Sequence, residues 1–306
     1  MRDAVESAIE AIGDRLPLLA HKADEPMRNH TSFKVGGPVR IMFFPENTGE
    51  LTELCGILHE HGVRPLIIGN GTNLIVDDTP LDMAAIKTTG IDAMEYDGET
   101  AITAGTGVLL SRLAVYACER GLSGFEFAHG IPGTLGGAVI MNAGAYGGEM
   151  KDAVRSTIAY NPETGVVTIT GRQHEFSYRH SRFSNADEIV ICSVISLWRS
   201  DKEAIRAKMD ELNTRRRESQ PLDLPSAGST FKRPKEGYAA ALIEQAGLKG
   251  YAAGGAQVSE KHSGFVVNRG GASFSDIMAV VEHVQDTVLK RFGIELEPEA
   301  KIIRGT

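Results

Sequence analysis

The sequence contains little cysteine and tryptophan and no long apolar run. Its 306 residues include three cysteines and one tryptophan, and 42% are hydrophobic. Cys55, Cys118 and Cys192 are odd in number and form no CxxC pair, so we expect neither a disulfide framework nor a zinc knuckle, and we expect a reducing, cytoplasmic compartment. No stretch approaches 18 apolar residues, and residues 1–6 lack the apolar core of a signal peptide. We therefore expect no membrane insertion.

The chain also lacks an excess of positive charge. It has 32 Lys and Arg against 40 Asp and Glu, for a net charge of −8. This balance argues against a nucleic-acid-binding protein, which usually carries a basic patch. The basic runs Arg215–Arg217 and Lys232–Lys235 are interpreted as solvated surface. The length suggests two domains with enough buried surface to fold without disulfides or metal.

Glycine, in contrast, is in surplus. The 34 glycines make up about 11% of the chain, against an average of about 7%. Nine of them lie within residues 121–148, where the other residues are varied. We therefore expect tight turns and close backbone approaches there, and not low complexity.

Hydrophobic periodicity predicts mixed helices and strands. The strand at 39–44, the helix after it and the strand at 63–68 are typical of a βαβ unit, and Asn161–Gly165 is typical of a hairpin turn. Ser275 is predicted to cap the last helix and Gly293 to end it. In chain order the predicted elements are helix 3–12, a polar, turn-rich stretch 22–38, strand 39–44, a helix from Thr48 as cap to Gly62 as stop, strands 63–68, 84–88, 93–97 and 100–104, helix 109–119, strands 156–160, 166–170 and 188–197, charged helix 201–217, helix 276–292, and strands 294–297 and 300–303.

Several common functional motifs are incomplete or absent. Gly69-Asn-Gly71-Thr-Asn-Leu74 begins like a dinucleotide fingerprint, but Leu74 replaces the third glycine and the segment continues as a strand. No P-loop is present, and His59-Glu60-His61 is interpreted as a solvated helix end, with metal ligation as the alternative. Two glycine-rich loops remain, Gly69–Asn73 and Gly130–Gly148. Successive backbone N–H groups in such loops can bind anionic oxygens, so we predict a diphosphate held mainly by backbone, with a pair of plain tight turns as the alternative.

Six segments then point to one family. They are NHTSFKVGG at 29–37, PLIIGNGTNL at 65–74, GIPGTLGGAVIMNAG at 130–144, YRHS at 178–181, SAGSTF at 226–231 and LEPEAKIIR at 296–304. In this order they resemble the UDP-N-acetylenolpyruvoylglucosamine reductases, the MurB flavoenzymes of peptidoglycan synthesis. The resemblance covers about residues 27–304.

The resemblance implies an FAD-binding module of the vanillyl-alcohol-oxidase (PCMH) type in two α+β subdomains, plus a C-terminal α+β substrate domain. It places an N-terminal helix and lead-in at 1–34, the FAD-binding domain at 35–200, divided near residue 88, and the substrate domain with its linking helix at 201–306. It also implies non-covalent FAD, NADPH as electron donor, and cofactor contacts in both glycine segments. The implied cofactor-binding residues are Gly69, Asn70, Gly71, Thr72, Asn73, Gly130, Pro132, Gly133, Thr134, Gly136, Gly137, Asn142 and Gly144.

The implied reaction reduces the enolpyruvyl ether of UDP-N-acetylglucosamine to UDP-N-acetylmuramate. By resemblance Arg179 is the cation that binds the substrate carboxylate, Ser229 is the proton donor and Glu299 is the catalytic carboxylate. An ionised Glu299 would repel the enolate, so we expect it to be protonated or to share a proton. Glu297 is the alternative carboxylate. We expect a monomer.

Other points stay open. Only 49 residues separate Arg179 from Ser229. This short spacing makes the sequence resemble the shorter, second subgroup of the family. It does not indicate which residue covers the substrate diphosphate. Lys232 and Lys261 are candidates, with solvated charge as the alternative, and His262 and Asn268 receive no catalytic role. The competing functions are a flavin-dependent sugar or alcohol oxidase of the same fold and a non-catalytic nucleotide-binding protein.

Overall fold

The fold is mixed α+β, as the sequence predicts. The computed structural model describes residues 3–305, so Met1, Arg2 and Thr306, at the ends of the predicted lead-in and substrate domain, lie outside the described residues. The helices are α1 (Ala4–Arg15), α2 (Thr48–Glu60), α3 (Leu110–Glu119), α4 (Leu135–Ile140), α5 (Met150–Ala153), α6 (Lys202–Ser219), α7 (Ala239–Gln245) and α8 (Phe274–Phe292). The strands are β1 (His21–Pro26), β2 (Pro38–Phe43), β3 (Leu66–Ile68), β4 (Leu74–Val76), β5 (Leu81–Lys87), β6 (Met94–Tyr96), β7 (Ala101–Gly105), β8 (Leu122–Ser123), β9 (Gly144–Ala145), β10 (Gly148–Glu149), β11 (Val154–Asn161), β12 (Gly165–Thr170), β13 (Ile189–Ser196), β14 (Trp198–Arg199), β15 (Ala252–Ala253), β16 (Ala256–Val258), β17 (Val266–Asn268) and β18 (Lys301–Ile303).

Strands β12, β11, β13, β7 and β6 form, in that order, a five-stranded antiparallel sheet. Its β11–β12 hairpin closes at the predicted turn, where Asn161 Oδ1 accepts the backbone N–H of Glu163 at 2.9 Å. The apolar residues of α3 and α4 share one buried core with this sheet. The predicted hairpin and the predicted helix near 109–119 are thus confirmed.

A second sheet has the strand order β1-β2-β5-β3. Strand β3 runs parallel to β5, with Leu66 opposite Ala85, and α2 buries Leu51 and Leu54 in the adjoining core. The predicted strand–helix–strand segment is therefore present, but β5 lies between its two strands. The turn-rich prediction for residues 22–38 is wrong for the part that forms β1. The sequence gives no strand signal there, because four of the six residues of β1 are exposed and show no apolar alternation.

The chain forms two compact units, each built from separate segments. Unit 1 comprises the described residues up to Ala23, Ile41–Asn70 and Met83–Arg215, and unit 2 comprises Asp24–Arg40, Gly71–Asp82 and the described residues from Arg216 onward. Unit 1 contains two apolar cores, whereas unit 2 packs α7, α8 and its short strands around a third. In unit 2 the parallel pair β4–β18 joins the end of the chain to the segment after Gly71.

Two helix caps differ from the sequence prediction. Asn47, and not Thr48, caps α2 by accepting the N–H of Glu50, and Ser273, and not Ser275, caps α8 by accepting the N–H of Asp276. Neighbouring polar residues can all serve as caps, so the pattern does not choose between them. Gly293 ends α8 with φ +69°, as predicted, whereas residues 294–297 form no strand.

The second glycine segment is not the continuous loop that the sequence predicts. It contains helix α4 and a β9–β10 hairpin, in which Gly148 pairs with Ala145. Several of its glycines meet other parts of unit 1, because a Cβ at Gly136 would lie 1.9 Å from Thr106 Oγ1 and one at Gly148 would lie 2.6 Å from the Phe127 ring. Close packing therefore accounts for part of the glycine surplus.

Two kinds of feature are absent from residues 3–305. None of the helices in this range has the length and hydrophobicity needed to span a bilayer. Within the same range, no group of three or more His, Cys, Asp and Glu side chains is arranged to hold a metal ion. The doublet His59–His61 ends α2, and Glu60 between its histidines pairs with Arg15 at 2.6 Å.

We predict opposite effects for two glycine-to-alanine changes in helices. Gly136→Ala should lower the free energy of unfolding by about 1–3 kcal/mol, because the added methyl overlaps the buried Thr106 side chain. Gly13→Ala, in exposed α1 with no atom within 4 Å of the new Cβ, should raise it by about 0.5–1 kcal/mol. Urea unfolding of both variants checks this, and a Gly136→Ala protein as stable as the parent would contradict it.

Candidate functional site

The two glycine segments meet in unit 1. Asn70 Nδ2 donates to the backbone carbonyl of Pro132 at 3.0 Å, across 62 residues of sequence. A Cβ at Gly69 would lie 2.1 Å from Thr134 Oγ1, so only glycine lets the first segment approach the start of α4 so closely. The structure thus brings together residues 69–70 and 132–134, which the sequence predicts to share one ligand.

The rest of the first glycine segment belongs to unit 2. Gly71 has φ +61°, and a Cβ there would lie 1.9 Å from the carbonyl oxygen of His30. The N–H of Ser32 donates to the Gly71 carbonyl at 3.1 Å, which ties the segment to the predicted motif at 29–37. Glycine is required at this position for its conformation as well as for space.

Some backbone N–H groups of the second segment are already bonded within unit 1. Leu135 N–H donates to the Val108 carbonyl at 2.8 Å, and Gly136 N–H donates to the Thr106 carbonyl at 2.9 Å. These amides hold α4 against the strand β7 region. A bound anion would therefore depend on other donors of the two segments, such as the Asn, Thr and remaining backbone groups.

Arg179 lies in a tight turn of unit 1. Ser177 and His180 exchange backbone hydrogen bonds of 3.0 and 3.2 Å, so Tyr178 and Arg179 form the two central residues of the turn. Arg179 has φ +54°, which is uncommon for a residue with a side chain, and it is half-buried. Its guanidinium carbon lies 5.1 Å from the centre of the Tyr178 ring.

Ser181 anchors this turn to the end of α4. Its hydroxyl, which is fully buried, donates to the Ile140 carbonyl at 2.8 Å, and the Ser184 hydroxyl donates to the same oxygen at 3.1 Å. Both bonds satisfy a carbonyl of the last turn of a helix, where intrahelical partners are missing. The serine of the Tyr178–Ser181 motif is thus a structural partner of the glycine segment.

Ser229 and Glu299 come from neighbouring segments of unit 2. The backbone N–H of Glu299 donates to the Thr230 carbonyl at 2.8 Å, directly after Ser229 in the chain. Ser229 is exposed and Glu299 is half-buried. Asn73, in the part of the first glycine segment that belongs to unit 2, donates through Nδ2 to the Glu299 carbonyl at 3.2 Å.

Comparison with known proteins identifies the family. Residues 220–303 match the family described as UDP-N-acetylenolpyruvoylglucosamine reductase, C-terminal domain, and residues 39–177 match the family described as FAD binding domain. The UDP-N-acetylenolpyruvoylglucosamine reductase of Caldanaerobacter subterraneus subsp. tengcongensis is 48% identical over 92% of both chains. That of Agathobacter rectalis is 41% identical over 97% of this chain and 98% of its own. The chain belongs to the UDP-N-acetylenolpyruvoylglucosamine reductase family.

A solved structure agrees with this assignment. The crystal structure of the family member from Thermus caldophilus, named MurB, superposes with a TM-score of 0.79 at 31% identity, and the alignment covers 93% of this chain and 98% of that one. The predicted family and the predicted α+β fold with a PCMH-type FAD-binding module are thereby confirmed.

The residues of unit 1 suit the diphosphate of an FAD. Residues 69–70 and 130–137, which all belong to unit 1, contain no acidic side chain, so no carboxylate of these residues would repel a diphosphate. Lys87 Nζ donates to the Gly69 carbonyl at 3.3 Å, which places a positive charge beside the first segment. Neutral donors, a nearby cation and close-packed glycines together fit such a group.

The open candidates from the sequence have defined partners. Lys232 forms an ion pair with Glu297. Lys261 Nζ donates to the Arg217 carbonyl at 2.5 Å. The Asn268 side chain is buried and donates to the Phe33 carbonyl at 3.1 Å, which is a structural contact. Burial lowers the pKa of His262, which favours its neutral form.

Sequence reasoning missed Thr106, which packs against Gly136 and lies outside every recognised motif. It also did not pair His30, which lies in the motif at 29–37, with Gly71, whose approach to the His30 backbone oxygen the structure shows. A contact of this kind carries no local signal, because the two partners are about 30 or more residues apart in the chain. The only sequence feature that marks Thr106 is its place shortly after the predicted strand at 100–104, and this feature is too common to identify a contact.

We predict that Gly69→Ala weakens FAD binding. The new methyl would displace Thr134, which is buried, and separate the two glycine segments. The dissociation constant for FAD, measured by flavin fluorescence on the stripped protein, should rise at least tenfold, which is about 1.4 kcal/mol. Gly13→Ala serves as the control and should bind FAD like the parent. Unchanged affinity in Gly69→Ala would show that the contact does not shape the cofactor site.

Proposed function

We propose that this chain catalyses the NADPH-dependent reduction of UDP-N-acetylglucosamine enolpyruvate to UDP-N-acetylmuramate, a step of peptidoglycan precursor synthesis. The observation that carries the proposal is the 48% identity to a reductase of this name across 92% of both chains. That similarity spans both the FAD-binding segment and the C-terminal segment. FAD, when bound, supplies a hydride carrier between NADPH and the enolpyruvyl carbon.

The residues proposed for the chemistry are Arg179, Ser229 and Glu299. Reduction of the enol ether leaves negative charge that spreads into the substrate carboxylate, so the site needs a fixed cation and a proton donor. Arg179 suits the first role, because a guanidinium stays charged and binds a carboxylate through two parallel hydrogen bonds. Its tight turn and the anchor at Ser181 restrict its movement.

Ser229 and Glu299, both of unit 2, are proposed to act on the charge that reduction leaves in the substrate, Ser229 on the carbanion and Glu299 on the enolate. A serine hydroxyl is a weak acid, so it can protonate a carbanion only when held close to it in a site with little water. The backbone bond between Glu299 and Thr230 holds the two side chains on adjacent segments. A protonated Glu299 could donate a hydrogen bond to the developing enolate without repelling it.

The proposal extends to the cofactor contacts and the domain boundaries. We propose FAD contacts from the thirteen residues named in the sequence analysis, of which Asn142 would contribute main-chain atoms only, with the 69–70 and 132–134 contact as their support. We propose an FAD-binding domain at 35–200 and a substrate domain at 201–306. A cytoplasmic, monomeric enzyme is proposed as well, and three free cysteines support a reducing compartment.

We predict that Ser229→Ala separates the two half-reactions. Reduction of bound flavin by NADPH should stay within about twofold of the parent, whereas turnover of the enolpyruvyl substrate should fall at least 100-fold, about 2.7 kcal/mol, because the proton donor is lost. Stopped-flow absorbance of the flavin measures both.

The control for Ser229→Ala is Ser200→Ala, an exposed serine after β14. It should behave like the parent in both half-reactions. Undiminished turnover in Ser229→Ala would remove this serine from the mechanism. Oxygen consumption with simple polyols, without turnover of the enolpyruvyl substrate by the parent, would instead favour the oxidase alternative.

We predict that Glu299, and not Glu297, is the catalytic carboxylate. Glu299→Ala should lower the rate of substrate reduction at least tenfold, about 1.4 kcal/mol, because alanine leaves no group to donate a hydrogen bond to the enolate. Glu297→Ala should remain within twofold of the parent, since Glu297 is exposed and paired with Lys232. Steady-state kinetics of both variants tests the assignment, and the reverse order would move the role to Glu297.

A further inference from the structure

Asn142 occupies an unusual place in unit 1. It follows the end of α4, only 1% of its surface is exposed, and its backbone has φ +42°. Asparagine tolerates this left-handed conformation better than most residues, but the conformation does not explain why the side chain is buried. A buried amide is costly unless its polar atoms are bonded.

All polar atoms of the Asn142 side chain have protein partners. Nδ2 donates to the Ser177 carbonyl at 3.0 Å and to Glu149 Oε2 at 2.9 Å, which uses both of its N–H bonds. Oδ1 accepts the backbone N–H of Lys151 at 2.9 Å. The side chain therefore joins three segments and has no N–H left to donate to a ligand.

The segments that Asn142 joins are those that carry and surround Arg179. Ser177 is the first residue of the tight turn in which Arg179 lies, and its N–H and C=O both bond to His180. Glu149 ends the β9–β10 hairpin and caps α5. Because one amide group binds both, the turn is held at a set distance from the hairpin.

Arg179 also interacts with the hairpin by charge. The pKa of Glu149 is lowered, mainly by the hydrogen bond from the Lys151 side chain and further by Asn142 and by the positive charge of Arg179. The groups facing this carboxylate are thus Lys151 at 2.8 Å, Asn142 and Arg179. Glu149 is held ionised near the guanidinium by a bond that does not involve the guanidinium itself.

Backbone strain is concentrated in the same part of the chain. Among residues 3–305, six residues other than glycine have positive φ, and four of them are Asn142, Tyr146, Glu175 and Arg179. Such conformations persist only when surrounding contacts enforce them, and they cluster at functional sites. Asn142 is itself one of these residues, and Ser177 lies two residues from both Glu175 and Arg179.

We propose that Asn142 is a positioning residue that sets the orientation of Arg179 for the substrate carboxylate. It does so through its hydrogen bonds to the Ser177 carbonyl and to Glu149, and not by binding the flavin through its side chain. The inference rests on the proposed function, and it adds a residue whose place in the family motif at 130–144 would otherwise suggest only cofactor contact.

The test uses Asn142→Gly in the flavin-loaded enzyme. Glycine removes the side chain and accepts φ +42° without strain, so the change isolates the hydrogen bonds. Flavin content and flavin reduction by NADPH should stay within twofold of the parent, whereas reoxidation of the reduced flavin by the enolpyruvyl substrate should slow at least tenfold. Asn161→Gly, which removes the side chain of another hydrogen-bonded asparagine at the β11–β12 turn, should change neither rate.

A double-mutant cycle separates positioning from general damage. In an Arg179→Ala background no guanidinium remains to be oriented, so adding Asn142→Gly should alter the single-turnover reoxidation rate by less than twofold. A further tenfold loss in that background would show that Asn142 acts independently of Arg179 and would overturn the proposal. Equal loss of both half-reactions in Asn142→Gly would overturn it too.

Glu149 provides a second route should Asn142→Gly fail to fold. Its side chain is 31% exposed, so Glu149→Ala should leave the fold intact while it removes one anchor of Asn142. Reoxidation should slow by about threefold or more in Glu149→Ala and recover in Glu149→Gln, whose amide oxygen can accept the same bond. Equal slowing in Glu149→Gln would assign the effect to charge and overturn the positioning role. Failure of the parent enzyme itself to be reoxidised by the substrate would refute the proposed function instead.

Discussion

The absence of Cβ atoms at Gly69 and Gly136 allows the two glycine segments of unit 1 to pack together. Thr134 fills the space that a side chain at Gly69 would need, and Thr106 fills the space at Gly136. These contacts bring the first glycine segment onto the start of α4 and bring α4 onto the end of β7. Since protein interiors are close-packed, even one methyl group at either place would force the segments apart.

The Arg179 turn depends on that arrangement. The carbonyl of Ile140, in the last turn of α4, accepts two serine hydroxyls from residues 181–184, and Asn142 beyond it holds the Ser177 carbonyl. A helix placed by glycine packing thus anchors the turn that carries the proposed catalytic cation. The segment proposed to bind flavin and the arginine proposed to bind substrate share one support, so the position of one depends on the position of the other.

Local patterns predicted the elements well where the pattern is itself the cause of the structure. The helix α3 and most of α8 follow an apolar periodicity that buries one face, and the Asn161 turn follows from a side chain that bonds its own backbone. The caps of α2 and α8 were each misplaced by one or two residues, because several adjacent polar side chains could accept the same N–H. Exposed β1 was missed because pairing in the sheet, and not burial, makes it a strand.

Residue types and their order determined the family and predicted a backbone-lined diphosphate site and three candidate catalytic groups. Tertiary structure alone decided which donors remain available for a ligand. The N–H of Gly136 is bonded to Thr106, 30 residues earlier, and both N–H bonds of the Asn142 amide are used by Glu149 and by Ser177, 35 residues later. A hydrogen-bond donor can serve only the partner that folding places within about 3 Å of it, and a sequence motif names the donor without naming that partner.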